Sequence, residues 1–289
     1  GLGDVYKRQL QAIEAICAAL DTQTPAVSVL DGVASLIDKS LLRQIEQEAT
    51  EPCVVMLETI REYGREALEA SGEAQLMQQA HAAYYQALAE AAEQAWNGPQ
   101  QAVWFARLEQ EHGNLRAAMN WLLEQSEAEM ALRLGTALWW FWYAQEHLHE
   151  GWNVLERALE RCEGVAAPLR ARALWATGSL ASSLGHVERG EALCQESLAL
   201  FREIGDIQGM GDATFHLAHI AFARWDLASA RKRFEESLVF LRETGDKTLT
   251  AWALGALALV VLYQGEYARV HTLAEQARAI CREVGDTTG

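Results

Sequence analysis

His216 and His219 stand three residues apart, the spacing at which two imidazoles on one helix face can share a metal ion. No acidic or cysteine third ligand is read beside them, so the pair is expected to be packed or solvated. His147 and His149 are two residues apart and face different ways on a helix. A phosphate-binding loop needs GxxxxGK[ST], whose amides cradle phosphate while the lysine neutralises it. Lys39-Ser40 follows Asp38, and in Gly245-Asp246-Lys247-Thr248 an acid stands where the loop wants glycine. No Ser/His/Asp or Cys/His grouping is legible. Carboxylate-rich runs such as 66–73 read as solvated helix faces. The chain is therefore expected to be non-catalytic, without a cofactor or metal of its own.

Aromatic residues carry the remaining chemistry. Trp140, Tyr143, Trp175, Phe215, His219, Phe222 and Trp252 fall near positions that would line the inner groove of stacked helix pairs. As a groove they would take a protein partner or a small-molecule inducer, because aromatics dominate binding hot spots. As core they would fill the spaces between helices, each burial contributing roughly 1.5–3 kcal/mol. The sequence leaves both readings open. Within Trp139-Trp140-Phe141-Trp142-Tyr143, the repeat register sends Trp139 and Trp142 to the core and Trp140 and Tyr143 to the inner face.

Composition limits the partners. The 289 residues hold 24 Lys and Arg against 40 Asp and Glu, a net charge of −16. That balance disfavours direct binding of nucleic acid, which needs a basic face, and adhesion to anionic membrane. No apolar run reaches the ~18 residues of a membrane span. The five cysteines (Cys17, Cys53, Cys162, Cys194, Cys281) are scattered and form no CxxC, which fits a reducing cytoplasm. Four prolines and a wealth of Ala, Leu, Glu and Arg favour helix.

The elements that must position these side chains repeat. Glu196-Ser-Leu-Ala-Leu-Phe-Arg-Glu-Ile-Gly205-Asp206 recurs as Glu236-Ser-Leu-Val-Phe-Leu-Arg-Glu-Thr-Gly245-Asp246 and as Gln276-Ala-Arg-Ala-Ile-Cys-Arg-Glu-Val-Gly285-Asp286. The period is 40 residues, long enough for two helices each, and the closing glycines suit helix stops. Small residues at Gly178, Ala218 and Ala258 would let paired helices approach closely. A lone pair cannot bury its second face, so neighbours must stack.

The repeats resemble the tetratricopeptide repeat. The small positions are Gly178, Ala218 and Ala258, the turn glycines Gly185 and Gly265, with Trp225 departing, and the closing small residues Ser197, Ser237 and Ala277. The expected fold is mainly α, an α-solenoid over 130–289. Upstream, helices at 12–20 and 29–38, a β-hairpin from runs 40–45 and 53–57, and a helix at 59–70 ended by Gly72 give the order of a truncated winged-helix domain over 10–72. On that last helix Ile60, Tyr63, Ala67 and Leu68 form one stripe. Residues 73–129 are expected to be a helical linker or first helix pairs, with Asn114 as a helix cap. Asp4-Val5-Tyr6-Lys7-Arg8-Gln9 looks like translated sequencing adapter, so 1–9 are set aside as a scar, and the chain reads as an internal piece of a longer protein.

Leu36-Ile37-Asp38-Lys39-Ser40-Leu41-Leu42, Met56-Leu57-Glu58-Thr59-Ile60-Arg61-Glu62-Tyr63 and Leu108-Glu109-Gln110-Glu111-His112-Gly113-Asn114-Leu115-Arg116-Ala117-Ala118 resemble the STAND-class ATPases with NB-ARC-like nucleotide domains, often LuxR-type transcriptional regulators. The resemblance implies a sensor and scaffold segment that relays a signal to an ATPase domain upstream. It also implies that the winged helix is a regulatory hinge. Lys39, Arg43, Arg61 and Arg65, its only basic residues from position 10, are few for DNA binding. The alternative is a tetratricopeptide-repeat adaptor without nucleotide control.

Overall fold

The computed structural model describes residues 7–18, 28–45, 53–96, 98, 100–162 and 164–284, which divide into two compact units. The first unit runs to Met130, apart from residues 97–99. Its elements are β1 (Lys7–Gln9), α1 (Leu10–Ala18), α2 (Val29–Asp38), β2 (Leu42–Ile45), β3 (Cys53–Met56), α3 (Glu58–Ser71), α4 (Ala74–Glu93), α5 (Gln101–Gln110) and α6 (His112–Glu124).

The expected hairpin forms, with Leu42 opposite Met56 and Ile45 opposite Cys53. It is not alone. β1, drawn from residues set aside as a scar, pairs antiparallel with β3 and makes a three-stranded sheet in the order β1-β3-β2. An edge strand offers unpaired N–H and C=O groups to any extended segment beside it, whatever that segment's origin. The hairpin tip and the segment around residue 20 lie outside the described residues. On α3 the stripe is largely open to solvent, with Tyr63 71% exposed. Its two arginines are taken up on the same helix, Arg61 by Glu58 and Arg65 by Glu69.

Helices α4 to α6 bury Tyr85, Leu88, Leu108, Leu115 and Leu122 and belong to the same compact unit as the sheet. Asn114 does not cap α6. The helix starts two residues earlier, and the buried Asn114 amide donates at 2.7 Å to the Glu111 carboxylate. The Tyr85 hydroxyl donates to the same Glu111 oxygen, also at 2.7 Å. A buried carboxylate needs such donors, and this one draws in the asparagine that sequence reading places at the helix start.

The second unit holds the repeats: α7 (Ala128–Ala144, from residue 131), α8 (Leu148–Arg161), α9 (Ala167–Ser183), α10 (Val187–Ile204), α11 (Ile207–Ala223), α12 (Leu227–Thr244), α13 (Lys247–Tyr263) and α14 (Tyr267–Val284). The helix breaks follow the 40-residue rhythm. α10 and α12 end at Gly205 and Gly245, both left-handed at φ 72° and 76°, a conformation that costs glycine little. The next residue starts the following helix. Asp206 accepts from the Gly209 amide at 3.0 Å, and Asp246 from the Leu249 amide at 2.9 Å.

Pairing within each repeat depends on small residues. A Cβ on Gly178 would sit 2.7 Å from Cys194 Sγ and 2.9 Å from the Gly190 carbonyl oxygen, so α9 and α10 touch through their backbones. The hydroxyls of Ser197 and Ser237 donate across the pair to the carbonyls of Ala171 and Gly211, at 2.8 and 3.0 Å. Phe215, Phe234, Leu238, Leu241, Leu254 and Leu257 form a core running from α11 to α13. Ion pairs join neighbouring repeats: Arg189 to Glu156 at 3.0 Å, Arg202 to Glu236 at 3.1 Å, Arg269 to Glu235 at 2.6 Å and Arg224 to Glu191. Among the described residues no helix is long and apolar enough to cross a membrane.

Candidate functional site

The first helix of each pair presents its rings to one inner face. Trp139 on α7 meets Trp175 on α9 edge-on at 4.5 Å, and both approach His216 on α11, at 6.2 and 5.4 Å. Trp140 stacks on Tyr143 at 5.4 Å and meets Trp252 of α13, also at 5.4 Å. Four of the seven sequence-expected groove residues, Trp140, Tyr143, Trp175 and Trp252, therefore belong to one set of rings. Tyr143 is exposed, Trp140 and Trp252 are half-buried, and Trp175 is buried.

The other three lie elsewhere. Phe215 is buried against Phe234 of its own pair at 5.8 Å, and His219 packs on the same two rings at 4.6 and 5.1 Å. Phe222 joins Trp225 and Tyr263 near the helix turns, at 6.1 and 6.0 Å. Trp139 departs from its expected core position and contributes to the inner set, while Phe141 and Trp142 fill the core. Trp142 is fixed by Gly151, where a Cβ would collide with its indole.

One histidine of α11 reaches this face. Burial pushes the His216 imidazole down to about 3, with His219 adding to the effect. Its ring is held as a neutral aromatic surface against Trp139 and Trp175. Asp212, four residues before His216, is an acidic neighbour that the sequence reading passes over. Burial, then the nearby Asp246 and, less strongly, Asp206, push its carboxyl up to about 7, while Gln208 and Arg172 act in the opposite direction. The Gln208 amide nitrogen donates to both Asp212 and Asp246 at 3.0 Å. The loop Gly245-Asp246-Lys247-Thr248 is a helix start rather than a phosphate cradle, and Lys247 pairs with Glu283.

Comparison with known proteins supports the fold. Residues 210–283 match the family profile of the tetratricopeptide repeat. A protein of Mycobacterium tuberculosis described as an HTH-type transcriptional regulator is 35% identical over 205 residues, 68% of this chain and 23% of that protein. A Mycobacterium bovis protein of the same description matches equally. The chain thus spans less than a quarter of the length of these relatives, 23%. Among solved structures, BtubC from P. vanneervenii aligns with a TM-score of 0.53 at 16% identity, over 73% of this chain and 94% of that one. Aspartyl phosphate phosphatase F from Bacillus subtilis aligns with a TM-score of 0.53 at 12% identity, over 80% of this chain and 56% of that one. Profile, helix pairing and repeat-scale punctuation agree: the chain carries tetratricopeptide repeats in a mostly helical solenoid.

Proposed function

We propose that this chain is the non-catalytic sensor and scaffold segment of a STAND-type, ATP-dependent transcriptional regulator. Its repeats take up a protein partner or a small-molecule inducer on the inner face, and the segment over 10–72 acts as a winged-helix hinge to a nucleotide domain upstream. The observation that carries the reading is the ring-lined face shared by α7, α9, α11 and α13 of a tetratricopeptide-repeat stack. The 35% identity to regulators about three times as long adds the regulatory context. A net charge of −16, with Arg61 and Arg65 held by carboxylates, supports a segment that does not itself grip nucleic acid. The expected compartment is the cytoplasm.

A signal moves such a device only if it binds one arrangement of the parts better than the other. The test is nucleotide turnover by the full-length protein, compared with a Tyr143→Ala variant. Turnover that responds to an inducer in the unaltered protein and not in the variant supports the sensor. Turnover indifferent to the substitution counts against it. The alternative is a repeat adaptor without nucleotide control, which the match of residues 210–283 to the tetratricopeptide repeat supports equally. It expects a partner retained equally with and without nucleotide.

A further inference from the structure

Trp140 and Trp252 lie on α7 and α13, with α9 and α11 between them in the stack, yet their ring centroids are 5.4 Å apart. A solenoid repeat ordinarily touches only its neighbours. Here the first and fourth pairs touch directly, through the indoles of Trp140 and Trp252. The contact is braced on both sides. Tyr143 stacks on Trp140 with planes 9° apart, and Trp139 extends the set through Trp175 to His216. Centroid distances of 4.5–5.4 Å are those of rings in direct contact, so the rings themselves fill this part of the inner face.

One side of the bridge has room to move. Gly255 sits three residues beyond Trp252 on the same face of α13, and a Cβ there would meet nothing within 4 Å. Glycine inside a helix weakens it relative to alanine, and no close approach of another helix requires it at this position. Gly255 is exposed, so the side of α13 next to Trp252 is open to solvent and not closed by another helix.

We infer that the Trp140–Trp252 contact is an autoinhibitory bridge. The inner face is filled by its own rings, and a partner gains it only after Trp252 leaves Trp140. The inference rests on the inner face being a binding surface and adds the control over it. The partner must favour the open arrangement by more than the bridge favours the closed one.

Two measurements on the full chain test it. The first is a thermal double-mutant cycle of Trp140→Ala and Trp252→Ala, with Trp152→Ala and Trp252→Ala as the control pair, since Trp152 packs on His186 away from this face. Coupling in the first pair and additivity in the control are expected, and additivity in both overturns the bridge. The second is binding of 1-anilinonaphthalene-8-sulfonate. Trp252→Ala is expected to bind the dye several-fold more tightly than the unaltered chain, and Trp152→Ala no more tightly. Coupled tryptophans with unchanged dye affinity in Trp252→Ala overturn the autoinhibition. If Trp252→Ala fails to fold, Trp252→Leu keeps bulk without the ring and takes its place in both measurements. Failure of the sensor reading looks different: turnover in the full-length protein ignores Tyr143→Ala while the dye result stands.

Discussion

At the scale of single residues, the second unit is tuned by protons in opposite directions. His216 has a folded value of about 3 against an ordinary 6.5, so the folded state binds fewer protons than the unfolded one between those limits. Its contribution to stability is present above about 6.5 and is lost as pH falls toward 3. Asp212, raised from 3.8 to about 7, works the other way: its contribution is present below 3.8 and is lost as pH rises through 7. Asp212→Asn is therefore expected to raise the melting temperature by a few degrees at pH 8, with the gain closing toward pH 4. A gain that grows on acidification would reverse the sign argued here. The serines offer a second residue-scale prediction. Ser237 reaches the Gly211 carbonyl across the helix pair, so Ser237→Ala is expected to cost about 1 kcal/mol in a urea titration, and Ser197→Ala a similar amount. Sequence reading names both only as small residues that close the repeat. The hydroxyl bond depends on a carbonyl 26 residues earlier, a distance no local pattern spans.

At the scale of helices, the close approach of α9 and α10 decides what position 178 tolerates. Any side chain there meets Cys194 and the Gly190 carbonyl already at its Cβ, so Gly178→Leu is expected to destabilise by about 1–3 kcal/mol through overpacking. An unchanged melting temperature would mean that the two helices do not meet through their backbones. This contact was legible in advance because small residues recur at the same place in each unit, and a 40-residue rhythm leaves few alternatives. The Gly-Asp pairs were half legible. Their glycines read as helix stops, while the aspartates that start the next helix show their role only in the structure, where each accepts from the amide three residues on. Trp225 marks the limit of such reasoning. It holds the left-handed turn position, φ 60°, that Gly185 and Gly265 hold elsewhere, and it stays exposed against Tyr263 at 4.8 Å. Its departure from the pattern is visible in the sequence, but the ring contact appears only once two repeats are stacked.

At the scale of the repeat stack, stability is close to a sum over units and the interfaces between them, so a lesion should act where it is made and on its neighbours. The inner-face bridge was illegible for the same reason. The meeting of Trp140 with Trp252 depends on the accumulated turn of several pairs, and no single repeat encodes that sum. These facts together make a sharp contrast available. Phe234 is fully buried between α11, α12 and α13, and its loss removes packing on which three helices draw. Phe234→Ala is expected to cost about 3–5 kcal/mol locally. In hydrogen exchange this should appear as lost amide protection in α11 to α13, while α9 and α10 keep most of theirs. With the bridge intact, α7 should gain some exchange as well, although the pair α9–α10 separates it from the lesion's centre, because Trp252 rides on the loosened α13 and braces Trp140. Adding Trp140→Ala should abolish that distant response and leave the local one unchanged. A response in α7 that survives removal of Trp140 would show the coupling travelling through the backbone stack instead of across the inner face.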